Sequence, residues 1–440
     1  MLTVTTRTEG RDCEGNTRRD FLRVGSLALG GLTLPHLLRV RAQAATSAGG
    51  GASAAARKDT SIVLLWLSGG PTQVETFDPK MTAPSEYRSS VGAIDTVVSG
   101  VQIGGLFPNL ARSADKMAFV RSFAHNDSGH GGGTHYVMTG YDFRPADQGL
   151  PANKPSYGSI AAKYRGSSNP ATGIPTYIRL NGINADGPAF LGKSCAPFET
   201  SGPAKNNMNQ VLSEARLSDR RSLLNSLDRI NRETDASGLM AGFDAFESQA
   251  YSLIMGGAKT AFDVNSESPK LREKYGSGLG LQLLQARRLC EAGCGFVTIN
   301  FGGWDMHSNI VSGMRKNAPQ VDRAVAAFLE DVAQRGLDEK ICLVVTGEFG
   351  RTPRINRNAG RDHWAPLSTL ALAGGGLRMG QVVGESTAKA ESPKSTPIGP
   401  QDLMATVFHV LGIPQDLHFQ DTAGRPVPMI TGGHPIAELV

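Results

Sequence analysis

Short, mostly apolar runs alternate with stretches of helical periodicity through most of the chain. The runs at 62–67, 117–123, 176–180, 295–301, 341–346 and 368–373 read as strands, and 62–67 lacks the in–out alternation of a half-exposed strand, as expected of one covered on both faces. Between them, 108–116, 157–164, 279–294, 320–335 and 401–411 carry apolar residues at helical spacing. Strands alternating with helices predict an α/β fold, an α/β/α sandwich around a mostly parallel sheet. Residues 203–275 break the rhythm with charged helical stretches such as 209–232, and predict a helical insertion. The polar segment 383–400, with Pro393, Pro397 and Pro400, predicts an exposed loop.

The N-terminus reads differently. Arg18-Arg19-Asp20-Phe21-Leu22 is a twin-arginine motif, followed by an uncharged apolar run at 24–38 and by Ala42-Gln43-Ala44, a small-residue cleavage pattern. The run is shorter than the ~20 residues a transmembrane helix needs. Residues 1–44 are therefore expected to be an export signal for the twin-arginine pathway, giving a periplasmic or secreted protein; an amphipathic or anchoring helix is the alternative. Residues 45–60 are a Gly/Ala/Ser tract, expected to be a flexible linker, and 61–440 to be one domain.

Composition narrows the function. The chain has 440 residues, 40% hydrophobic and 19% charged, enough for a large core, which excludes global disorder and a disulfide mini-scaffold. The net charge of +5 owes much to the leader. Without residues 1–44, which hold seven arginines and four acids, 38 basic and 36 acidic residues remain, with no basic run longer than two. That balance argues against a nucleic-acid partner. Cys290 and Cys294 stand at i, i+4, poor disulfide geometry, and read as buried small hydrophobes.

In open α/β sheets ligands bind at the carboxyl ends of strands, and there the polar chemistry gathers. Five of the nine histidines fall in segments after predicted strands: His125, His130, His135, His307 and His363. Trp304-Asp305-Met306-His307 offers a carboxylate and an imidazole, a pair suited to Zn or Mn; a capping Asp and a surface His are the structural alternative. Glu348 follows the 341–346 strand, with Asp362-His363 fourteen residues on and Arg351, Arg354, Arg357 and Arg361 between, a set suited to an anionic substrate or else to a structural ion-pair network. In the Gly-rich run around His130, Ser128 or Thr134 is a candidate nucleophile, unless the segment is simply a loop. Glu75 and Asp78, after the first strand, read more readily as structural.

These residues resemble a known family. GGPTQVETFDPK, EFGRTP, GRDHW and the twin-arginine leader match the bacterial family "domain of unknown function 1501" over roughly residues 60–435. PNLARSADK through HYVMTG and PQDLMATVFHVLGIP are similar to stretches of sulfatases, and GRDHWAPLSTLALAGGGL to the last metal-ligand region of cofactor-independent phosphosugar mutases, all in the alkaline phosphatase-like superfamily. The resemblance implies an alkaline phosphatase-like sandwich, bound divalent metal (Zn or Mn, with Ca or Mg as alternatives) and attack on a phosphate or sulfate ester. It implies metal ligands at Asp305, His307, Glu348 and His363, to which the residues themselves add Asp362 as a candidate ligand and Ser128, Thr134, His130 and Arg351 as candidate catalytic residues. The sequence departs from the superfamily where Ser68-Gly69-Gly70 replaces the acidic ligand after the first strand, where Phe349 replaces a histidine, and where the sulfatase Cys/Ser-x-Pro-x-Arg motif is missing. The expected function is thus a secreted metal-dependent hydrolase of phosphate or sulfate esters, the substrate carried on polysaccharide. The rivals are a catalytically degenerate protein that binds an anionic glycan or a secreted partner, and a surface-assembly protein.

Overall fold

The run SIVLLW at Ser61–Trp66 has all six residues buried, so both faces of this strand must be covered. The structure, a computed structural model, describes residues 58–200 and 259–440. The leader, nearly all of the 45–60 linker and most of the 203–275 insertion lie outside the described residues. Eight strands form the main sheet: β1 (Ser61–Trp66), β2 (Ala118–Val120), β3 (Tyr177–Arg179), β4 (Phe198–Glu199), β5 (Phe296–Asn300), β6 (Ile341–Thr346), β7 (Leu370–Gly374) and β8 (Gln381–Val383). Their spatial order is β8-β2-β7-β6-β1-β5-β3-β4. Among the described strands β7 alone runs antiparallel to its neighbours; the other pairs are parallel.

Alternate side chains feed two cores. Val63 and Leu65 of β1 join Val297, Ile299, Leu343 and Val345 on one face. Ile62, Leu64 and Trp66 join Phe296, Val344 and Leu370 on the other. Each fully buried aliphatic side chain contributes about 1.5–3 kcal/mol. Among the described residues, five longer helices cover the sheet: α1 (His130–Thr139), α2 (Tyr157–Arg165), α3 (Leu279–Glu291), α4 (Ile310–Gln334) and α5 (Pro400–Leu411). Buried residues of α3 and α4 belong to the first core, and those of α1, α2 and α5 to the second. The architecture is the α/β/α sandwich that the alternating pattern predicts. No helix among the described residues is long and apolar enough to cross a membrane. Cys195, Cys290, Cys294 and Cys342 are all free and buried.

Three expectations need correction. The Gly-rich segment is not a loop from His130 onward but helix α1. Helix α4 begins at Ile310, ten residues before its periodicity becomes clear, with the Asn309 side chain accepting from Ser312 N. The 383–400 segment is not uniformly exposed: Ala390 is buried, and buried Ser386 donates to Asp78.

The loop after β3 holds a buried acid, Asp186 (4% exposed). Burial, opposed only in part by Ser156, holds its carboxyl up at about 8. The fold keeps this proton while the unfolded chain releases it near pH 4, so the group favours folding at low pH and this contribution is lost as pH rises toward 8. The slope is roughly 1.4 kcal/mol per pH unit. Unfolding measured at pH 5 and pH 8 is expected to show this loss, and Asp186→Asn to flatten it.

Candidate functional site

Three adjacent strands, β5, β1 and β6, deliver their carboxyl ends to one place. The turn after β1 carries Gly69 at φ +113°, where a Cβ would run into the Asp305 amide. Only glycine lets that turn lie against the loop after β5. Arg351 fastens the two. It is 0% exposed; its Nε donates to Gly70 O at 2.9 Å, its Nη1 to Arg361 O at 3.1 Å, and its Nη2 to Gly69 O and to Asp305 Oδ1, the latter at 2.5 Å. A two-residue hairpin pairs Arg351 with His363, bringing the 352–362 loop back to the site.

Around Asp305 three imidazoles converge. His307 Nε2 lies 3.0 Å and His363 Nε2 3.1 Å from Asp305 Oδ1, and the two Nε2 atoms are 3.0 Å apart. His130, first residue of α1, places Nε2 3.5 Å from Asp305 Oδ2. The opposite nitrogen of each ring is anchored. Nδ1 of His307 meets Asp362 Oδ1 at 2.6 Å, Nδ1 of His130 meets Glu348 Oε1 at 2.8 Å, and Nδ1 of His363 meets Ser128 O at 2.9 Å. Carboxylates and carbonyls only accept, so a proton on each Nδ1 satisfies these contacts, and in that tautomer neutral His307 and His363 turn an Nε2 lone pair toward Asp305 Oδ1. That is the pattern of metal-binding histidines held from behind by oxygen acceptors.

The electrostatics agree with this assignment. Partial burial alone would raise the Asp305 carboxyl; the Arg351 hydrogen bond and charge, aided by His363, outweigh it and hold the group at about 2. Burial lowers His363 below the ordinary imidazole value, against the pull of Asp305. The hydrogen bond to Glu348 raises His130.

The structure thus sorts the candidate residues. Asp305, His307 and His363 come together, joined by His130. Glu348 and Asp362 do not face the cluster; each stands behind an imidazole. Glu348, 2% exposed, also accepts from Gly69 N at 2.8 Å, while its Oε2 is buried without a hydrogen-bond partner. Ser128 contributes its carbonyl, and its Oγ accepts from Ala365 N at 3.0 Å. Thr134 is 5% exposed and donates its hydroxyl to His130 O inside α1, which removes it as a nucleophile. Arg351 has no exposed surface from which to reach a substrate oxygen and serves instead as a fastener. Arg361 and Glu75 form a fully buried ion pair at 2.9 Å, and Asp78 is held by Ser386, Lys80 and Arg121, so both early acids are structural. His125 is pushed down to about 4 by burial and, like His135, whose Nδ1 meets Tyr141 O, stands apart from the cluster. Sequence reasoning passed over Asn356, whose side chain holds both Asp362 and the His307 carbonyl. Its signal was the turn-forming run Asn356-Arg357-Asn358-Ala359-Gly360.

Comparisons with known proteins extend the picture. No curated protein matches the sequence. Among solved structures, a sulfatase from Pseudoalteromonas sp. is similar, at 12% identity and a TM-score of 0.39 over 81% of this chain and 68% of that one. A phosphonate monoester hydrolase from Silicibacter pomeroyi is similar at 13% identity and a TM-score of 0.38, over 87% of this chain and 78% of that one. The family model described as "Protein of unknown function (DUF1501)" matches residues 59–440, nearly the whole of the described chain, and the protein belongs to that family.

Proposed function

We propose that the protein is an exported, metal-dependent hydrolase of phosphate or sulfate esters. The observation that carries this reading is the convergence of three Nδ1-anchored imidazoles on Asp305. With neutral rings, two lone pairs and a carboxylate oxygen point at one another within 3.1 Å, an arrangement that a cation relieves. Bonds of about 2.0–2.2 Å place tetrahedral ligand atoms roughly 3.3–3.6 Å apart, a few tenths of an ångström beyond the spacing found. Asp305, His307 and His363 would hold the ion. A divalent cation there supplies Lewis-acid polarisation of an ester oxygen.

The remaining steps belong to the chain. Arg351 keeps Asp305 ionised and aimed. His130, backed by buried Glu348, keeps a proton that its Nε2 can pass to a leaving-group oxygen at the open side of the cluster. Neither Thr134 nor Ser128 offers an uncommitted hydroxyl beside the imidazoles, which favours water as the nucleophile. Exposed Arg354 and Arg357 edge the 352–362 loop and suit an anionic substrate. His130, Asp305 and His307 are all nearly half exposed (46%, 45% and 46%), which suits an ester displayed on a polymer better than an engulfed small molecule. Export rests on the leader sequence alone.

The test is hydrolysis of aryl phosphates, aryl sulfates and sulfated polysaccharide by the purified full chain. Turnover is expected to vanish with chelator and to return with Zn or Mn. Metal-loaded protein inert on every ester would leave the second reading, a binding protein for anionic glycans, which the glycine turn in place of an acidic ligand after β1 already favours.

A further inference from the structure

Asn356 sits in the loop that joins the two hairpin strands at the site, and its side chain works in two directions. Oδ1 accepts from Asn358 N at 2.9 Å and Gly360 N at 3.0 Å, closing the turn. Nδ2 donates to His307 O at 3.0 Å and to Asp362 Oδ1 and Oδ2 at 3.2 and 3.3 Å. The orientation of the amide is fixed by its partners: backbone N–H groups demand an acceptor on one side, while a carbonyl and a carboxylate demand a donor on the other. The loop is pressed onto the His307 backbone, where a Cβ on Gly360 would collide with the His307 carbonyl carbon, and Arg361 N donates to Met306 O at 3.0 Å. Asp362 itself is 53% exposed. Among the described residues, its carboxylate is held only by Asn356 and His307.

We propose that Asn356 is a positioning residue: by holding the Asp362 carboxylate against His307 Nδ1 it keeps the His307 proton on Nδ1 and aims Nε2 at Asp305. The consequence for metal affinity rests on the reading under Proposed function; the consequence for the tautomer does not. Loss of an outer partner of a metal-binding histidine typically weakens metal binding 10–100-fold.

Asn356→Asp separates the two jobs of the side chain. Its carboxylate can still accept from Asn358 N and Gly360 N, so the turn survives. It offers no donor, and its second oxygen faces the Asp362 carboxylate. The experiment uses the full chain with ¹⁵N-labelled histidine, at pH 8 without metal, with the His307 signals assigned by their loss in His307→Gln. Wild type is expected to show Nδ1–H at His307, and Asn356→Asp a shift toward Nε2–H. Zn affinity, by chelator competition, is expected to fall 10–100-fold in the variant, with its metal-free melting temperature close to that of wild type. If Asn356→Asp melts far below wild type, Asp362→Ala replaces it, because it removes the acceptor from Nδ1 altogether. A wild-type His307 protonated on Nε2, or a variant with the wild-type tautomer and Zn affinity within twofold, overturns the proposal. A wild type that binds no Zn overturns the hydrolase reading, and the tautomer then decides the role of Asn356 by itself.

Discussion

Alanine at both His307 and His363 is expected to empty the protein of divalent metal while leaving it folded. The two rings supply two of the three ligand atoms that lie within 3.1 Å of one another, and without them His130 Nε2, 3.5 Å from the other Asp305 oxygen, is the one imidazole left beside the carboxylate. One carboxylate and one distant imidazole cannot hold Zn or Mn against water. The fold survives because the two rings are 46% and 24% exposed and add little to either core. Elemental mass spectrometry on the full chain should find one equivalent of Zn or Mn in wild type and none in the double variant, with similar melting curves when both are metal-free. Wild-type metal should also be lost as the pH is lowered, because imidazoles must give up the Nε2 proton to bind. Burial, which lowers His363, helps to keep that ring available as the pH falls. A double variant that retains the wild-type metal would place the metal elsewhere and sink the assignment.

The largest loss of stability is expected from Glu75→Ala. Glu75 and Arg361 are both 0% exposed. Their guanidinium and carboxylate meet twice, Nε to Oε2 and Nη2 to Oε1, each at 2.9 Å. Removing the carboxylate strands a charge in the interior, which costs about 3–5 kcal/mol, a large share of the ~5–15 kcal/mol that holds a typical domain together. The damage should reach the site, because the Arg361 carbonyl accepts from Arg351 and its amide donates to Met306. Denaturant unfolding should show a much lower midpoint. Glu75→Leu with Arg361→Met, which removes both charges and keeps the volume, should recover most of the loss. Equal destabilisation in the single and double variants would mean that the backbone contacts of Arg361, not its charge, hold the loop.

The helix at His130 shows why part of the site was hidden. Gly131, Gly132 and Gly133 make a poor helix by propensity, and local reasoning assigned a loop. In the fold those glycines face Ala146 O, the Asp127 carboxylate and Glu348 O at distances that leave no room for a side chain. Close packing selected them, and it sets His130 at the start of a helix beside Asp305. Glu348 and Asp362 illustrate a second limit. Their residue types and their places after β6 marked them as site residues, but spacing along a chain does not say which nitrogen of an imidazole a carboxylate will meet.

The order of apolar runs determined the α/β/α sandwich, since a continuously apolar strand is stable only with both faces covered. The clustering of His, Asp and Glu after those runs located the site, because parallel strands deliver all their carboxyl ends to one edge. Only the tertiary structure decided the division of labour there. Asp305 and three Nε2 atoms face inward, Glu348, Asp362 and a Ser128 carbonyl stand behind them, and Arg351 is spent on backbone. Those roles depend on the direction of each side chain and on which groups burial leaves unpaired, and both are set by contacts between segments as far apart as Gly69, Asp305 and Arg351.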